Sequence, residues 1–121
     1  MKVSRRVQRA ERELLQIIAT YIHNGLKDPL LGIVSVSRVE ASPDLRSAKV
    51  YLSMRATEEE KEENIEILEM RRGEIQHQVG RQLPMKFTPK LKFQVDRGME
   101  KAERVHELLS QVIPRHEEEE E

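Results

Sequence analysis

Near the start of the chain, Val3, Val7, Ala10, Leu14, Ile17, Ile18 and Tyr21 recur at three- and four-residue spacing and form one apolar stripe at about 100° per residue. The spacing predicts a helix from Ser4, a residue suited to an N-cap, to Asn24, with Gly25 placed to stop it. Lys2, Arg5, Arg9 and Arg12 fall on the opposite side, so the helix has a cationic outer face, either ordinary solvated surface or a phosphate-facing edge whose four bases are candidates for RNA contact. After Asp28-Pro29 the pattern changes. The β-branched run from Ile33 to Val39 predicts one strand, and the alternation of Ala48, Val50, Leu52 and Met54 with Ser47, Lys49, Tyr51 and Ser53 predicts a second. Ala41-Ser42-Pro43-Asp44-Leu45 between them has turn chemistry, because proline fixes φ and the Asp44 carboxylate can accept from backbone N–H groups. The two strands should form a β-hairpin.

Thr57 with Glu60 three residues on makes a capping box, and the glutamates that follow complement the positive end of a second helix. That helix is expected to bury Ile65, Leu68 and Ile67 and to meet Gly73, beyond which helical periodicity resumes with Ile75, Val79 and Leu83. Gly73 therefore marks an expected kink between two helices. Pro84 and Pro89 bound a connector, and Leu91, Phe93 and Val95 alternate with Lys90, Lys92 and Gln94 in a third strand. A last helix from about Met99 to Ile113 would bury Ala102, Val105, Leu109 and Val112, with Pro114 ending it. The order predicts an α+β fold, α-β-β-α-(kink)-α-β with an extra C-terminal helix. Strands one and two should pair antiparallel and strands two and three parallel through a right-handed crossover, in a three-stranded mixed sheet with helices on one face. The minimal α-β-β-α-α-β part is the topology of the type II K-homology domain, a nucleic-acid-binding fold that does not by itself fix function.

The 121 residues suit one domain, expected over 1–114, with 115–121 as a disordered acidic tail. Only Tyr21, Tyr51, Phe87 and Phe93 are aromatic, so the core is built from aliphatic side chains and aromatic platforms for stacking bases or sugars are nearly absent. The absence of cysteine excludes disulfides, thiol nucleophiles and thiolate zinc sites. No secretory signal or membrane span is expected, which fits a cytoplasmic protein.

The formal net charge of -1 conceals strong segregation. Residues 1–12 carry five bases against Glu11, and residues 71–105 carry nine bases against four acids, whereas 58–70 hold seven glutamates and 117–121 are all glutamate. Basic surface on the folded body with acid held in two blocks is the pattern expected of a polyanion-binding protein.

Catalytic groups do not converge in the sequence. His23, His77, His106 and His116 lack zinc-binding spacing, and the five glycines form neither a phosphate loop nor a dinucleotide turn, so no metal, cofactor or catalytic residue is expected. The bases fall where the topology would gather them: Arg71, Arg72, Arg81, Lys86, Lys90 and Lys92 in the α-α-β half around the Gly73 break, then Arg97, Lys101 and Arg104 on one flank of the last helix, all candidates for RNA contact together with Gly73. In K-homology domains that half carries the nucleic-acid groove, with a GxxG loop between its helices. Here Gly73 stands alone, so backbone electrostatics and shape are the expected mode of recognition.

Four blocks resemble the bacterial ribosome-binding factor A family: LKDPLLG (26–32), SPDLRSAKVYLS (42–53), the helix-Gly-helix around RRGEIQ (71–76) and TPKLKFQVD (88–96), with VHELL (105–109) following. Two positions depart from the family pattern, Arg71 where alanine is usual before the kink glycine and Leu30 where arginine is usual. The resemblance implies a non-catalytic assembly factor that binds the immature small (30S) ribosomal subunit and its 16S rRNA and assists 5′-end processing. It also implies support of growth in the cold, and release involving a ribosome-dependent GTPase or an initiation factor. A monomer without membrane attachment is expected. An acidic protein-interaction module that binds a basic partner is the alternative reading, with a nuclease third.

Overall fold

The computed structural model describes residues 4–98, which form three helices and one three-stranded sheet. Helix α1 (Arg5–Thr20) begins at Ser4, whose hydroxyl accepts the Val7 N–H at 3.2 Å and so satisfies one of the unpaired donors of the first turn. Val7, Ala10, Leu14 and Ile18 are buried along the stripe that their spacing defines. The α form stops before Asn24. Tyr21–Gly25 widen into a π-helical turn, with the Leu26 N–H donating to the Tyr21 carbonyl at 2.7 Å. Gly25 is required there by close approach, since a Cβ would lie 2.5 Å from a carbon of the Tyr21 ring.

Strands β1 (Ser35–Ala41) and β2 (Ser47–Ser53) pair antiparallel, and β3 (Lys90–Val95) pairs parallel with β2, in the order β1-β2-β3. Strand β1 starts later than its β-branched run. Its first residue, Ser35, already faces Ser53 at the end of β2, so Ile33 and Val34 have no strand opposite them and Ile33 is 95% exposed. The register shifts between Val36 and Arg38, which leaves Ser37 as the extra residue of a bulge.

At the hairpin turn the Leu45 N–H donates to the Ser42 carbonyl at 2.9 Å. The Asp44 carboxylate accepts from the Arg46 N–H at 3.1 Å and the Ser42 hydroxyl at 2.7 Å, as the turn sequence predicts. Leu45 adopts a left-handed φ of 59°. That conformation costs a non-glycine residue about 1–2 kcal/mol. Burial of the Leu45 side chain beside Val7 and Ala10, in a small second core under the start of α1, offsets it.

Helix α2 (Glu58–Met70) carries the expected capping box: Thr57 accepts the Glu60 N–H while Glu60 accepts the Thr57 N–H. Its buried positions are Lys61, Asn64 and Leu68, with Ile65 and Ile67 only half-buried. Asn64 has a structural job, because its Oδ1 accepts the Gly32 N–H at 3.0 Å and ties the loop before β1 to α2. The break before α3 (Arg72–Gln82) lies at Arg71, with φ -95° and ψ 6°. Gly73 is therefore not the hinge that the sequence predicts. It lies in the first turn of α3 without a positive φ, and a Cβ added there would meet no atom within 4 Å.

All three helices cover the face of the sheet formed by Val39, Ala48, Val50, Leu52, Leu91 and Phe93, and with it enclose the main core around Leu14, Ile18, Leu68 and Ile75. Two of the outward N–H groups of edge strand β3 are also covered. Leu91 donates to Gln76 at 2.9 Å and Phe93 donates to Glu69 at 3.3 Å, which removes pairing groups from an otherwise open edge. The α+β, type II K-homology-like topology with helices on one face is the predicted one. The C-terminal helix expected over 99–113 and the acidic tail at 115–121 lie outside the described residues.

Candidate nucleic-acid interface

Strand alternation sends the even-numbered residues of β3 away from the core. Lys90 and Lys92 are exposed, while Leu91 and Phe93 between them are buried. Lys49 of β2 is the register partner of Lys92, and Ser47 is that of Lys90, so the three lysines share the open sheet face. None of the three forms a hydrogen bond or ion pair through its side chain among the described residues. Lys49 and Lys92 lie directly across a strand pair and repel, while Glu40 of β1 is the register partner of Lys49 on its other side without forming an ion pair with it. In contrast, the neighbouring part of this face is self-neutralised. Arg38 lies 3.9 Å from the Tyr51 ring centroid, pairs with Glu40 and reaches buried Asp96 at 3.5 Å. Burial pushes the Tyr51 hydroxyl above its ordinary pKa, helped by the Glu40 carboxylate.

The Lys90 N–H donates to the Arg46 carbonyl at 2.9 Å, which joins the sheet face to a cleft of about 780 Å³ at the hairpin end of the molecule. The start of α1 contributes Arg5, Arg6 and Arg9 to this cleft, the hairpin contributes Arg46, and the connector before β3 contributes Lys86 and Phe87. Phe87 is 52% exposed, with the Arg46 guanidinium carbon 5.1 Å and the Lys86 Nζ 5.6 Å from its ring centroid. Two acids line the cleft and both are engaged: Glu13 pairs with Arg9 at 3.5 Å, and Asp44 serves the hairpin turn. The Ser42 hydroxyl chiefly holds the Asp44 carboxyl below its usual pKa.

At the helical junction, where a basic groove is expected, the arginines are paired with carboxylates. Arg71 bonds Asp28 at 3.3 Å and Glu74 at 2.9 Å, and Glu74 also accepts from the Tyr21 hydroxyl. That hydrogen bond is the main reason the Tyr21 hydroxyl is pushed up and the Glu74 carboxyl held down, while the Glu74 bond raises Arg71 further. Arg72 pairs with Glu69. Both guanidinium groups thus pair with intramolecular carboxylates, and the shallow cleft between α2 and β3 is lined by Glu62, Glu66 and Glu69. Arg97 pairs with Glu58 at 2.9 Å and holds that carboxyl down.

The predicted residues thus separate into groups. Lys90 and Lys92 stand on the open sheet, and Arg5, Arg9 and Lys86 on the cleft. Arg12 and Arg81 are exposed on α1 and α3. Arg71, Arg72 and Arg97 are paired and Gly73 is exposed. Lys2, Lys101 and Arg104 lie outside the described residues. Sequence reasoning missed Lys49, Arg6, Arg46 and Phe87. Lys49 was detectable, because it alternates with Ala48 and Val50 as Lys90 and Lys92 alternate with Leu91 and Phe93. No group of three or more His, Asp or Glu among the described residues is placed to hold a metal, and no described helix is long and apolar enough to cross a membrane.

The sequence profile of the ribosome-binding factor A family matches residues 6–109. The chain is 39% identical over 108 residues to the ribosome-binding factor A of Bdellovibrio bacteriovorus, covering 89% of this chain and 81% of that protein. A Thermotoga maritima protein described as a putative ribosome-binding factor A, solved by solution NMR, is similar with a TM-score of 0.69 and 32% identity over 78% of this chain and 90% of that one. A homology model of Thermus thermophilus ribosome-binding factor A, fitted into the cryo-EM map of its 30S complex, gives a TM-score of 0.59 and 25% identity, covering 72% and 91% respectively. The family profile spans most of the chain and the Bdellovibrio protein is matched over most of its own length, so this chain belongs to the ribosome-binding factor A family.

Proposed function

We propose that this protein binds the immature small ribosomal subunit through its 16S rRNA, without catalysis, and assists late maturation including 5′-end processing, with a role in growth in the cold. The observation that carries this reading is the set of unpaired lysines, Lys49, Lys90 and Lys92, on one open sheet face beside a cleft that adds five further bases. A polyanion relieves the mutual repulsion of such an array and releases its own counterions on contact. Family membership and the 30S complex of the Thermus relative support the choice of polyanion. The protein would hold one rRNA conformation by binding it better than the alternatives.

In this reading residues 1–114 act as one monomeric cytoplasmic RNA-binding domain. Release would involve a ribosome-dependent GTPase or an initiation factor. The test is sedimentation of cell lysate. The protein should travel with free small subunits and not with mature ribosomes; migration with neither, or with mature ribosomes alone, overturns the proposal.

A further inference from the structure

We propose that the cleft between the start of α1, the hairpin tip and the α3–β3 connector is a binding site for single-stranded RNA, with one unpaired base stacked on Phe87. The inference rests on the rRNA-binding reading above and specifies the form of RNA taken at this end of the molecule. Three observations combine here. The cleft, at about 780 Å³, is of the size that admits a nucleotide-sized ligand. Its basic side chains are supplied by three separate elements, which suits a backbone of successive phosphates better than a single anion. Phe87 exposes a large apolar ring among those bases, where neither the main core nor the small second core uses it.

Exposed aromatic rings flanked by cations are stacking platforms for bases, and only an unpaired base presents its face to one. The wall of the cleft is also held in place. Leu45 is buried at a left-handed φ, and this fixes the backbone from which Arg46 reaches toward the Phe87 ring. A duplex would engage the same bases through its phosphates but leave Phe87 unused.

The experiment measures binding of the full chain to a short oligoadenylate carrying 2-aminopurine, with a duplex of equal length as comparator and small subunits as reference. The parent should bind the single strand and quench the fluorescent base. Phe87→Leu keeps every charge and should lower single-strand affinity about fivefold or more, with the salt slope and duplex affinity unchanged. Arg46→Gln with Lys86→Gln should weaken binding and flatten the salt slope. Equal single-strand binding by Phe87→Leu and its parent overturns the proposal, as does a loss seen only with small subunits, which assigns Phe87 to a protein contact. If Lys49→Gln with Lys92→Gln weakens subunit binding while the cleft variants do not, the site fails and the rRNA-binding reading stands; if the parent binds no subunit, that reading fails instead.

Discussion

Gly25 and Gly73 differ in the space around them, and the difference gives opposite expectations for the same substitution. At Gly25 a methyl group would strike the Tyr21 ring, which cannot swing freely because its hydroxyl donates to Glu74. Gly25→Ala should therefore destabilise the fold by about 1–3 kcal/mol. At Gly73 the added methyl enters open space on a helix, so Gly73→Ala should stabilise by about 0.5–1 kcal/mol and leave subunit binding unchanged. Urea unfolding of both variants checks the signs. The sequence points to Gly73 as the hinge because glycine is the usual mark of one. The actual break at Arg71 uses a φ that any residue adopts and so leaves no compositional trace. Nearby, Glu74 gives a pH prediction. Its carboxyl is held down in the folded state, chiefly by the Tyr21 hydroxyl and then by Arg71. The associated stability is fully present above the ordinary carboxylate pKa and is lost as pH falls through the lower folded-state value. Melting temperatures of Glu74→Gln and parent should differ at neutral pH and converge in acid; a constant difference would contradict this account.

At the scale of elements, local signals were legible where a side chain acts on its own backbone. The Ser4 cap, the Thr57–Glu60 box and the Asp44 turn all form as their spacing implies. Thr57→Ala should cost about 1 kcal/mol, read as a lower denaturation midpoint, since it strands the Glu60 N–H at the start of α2. Strand alternation was equally clear in β2 and β3, but β1 was misplaced because its limits are set by where β2 ends and not by its own composition. The inner face of α2 was harder to read. Polar Asn64 is buried because a loop thirty-two residues earlier needs its acceptor, and that partner is invisible to helical periodicity. Likewise the hairpin tip depends on a tertiary contact. Leu45→Ala should destabilise by about 2–4 kcal/mol, because it removes burial while keeping a left-handed residue with a Cβ.

Over the whole molecule, charge segregation was visible in the sequence, but which bases remain available was not. Arg71 and Arg72 lie in the same basic segment as Lys90 and Lys92, yet α2 and the loop at Asp28 supply carboxylates to the arginines and none to the lysines. Packing thus shifts the available charge from the helical junction to the open sheet and the hairpin-end cleft. The most direct test is equilibrium binding of purified small subunits across a salt titration, comparing the parent with Lys49→Gln/Lys92→Gln. The expected result is a folded variant with weaker binding and a log affinity against log salt slope flattened by about 1.4–1.8, two phosphate contacts having been lost. A variant that binds as tightly as the parent, with the same slope, would contradict it.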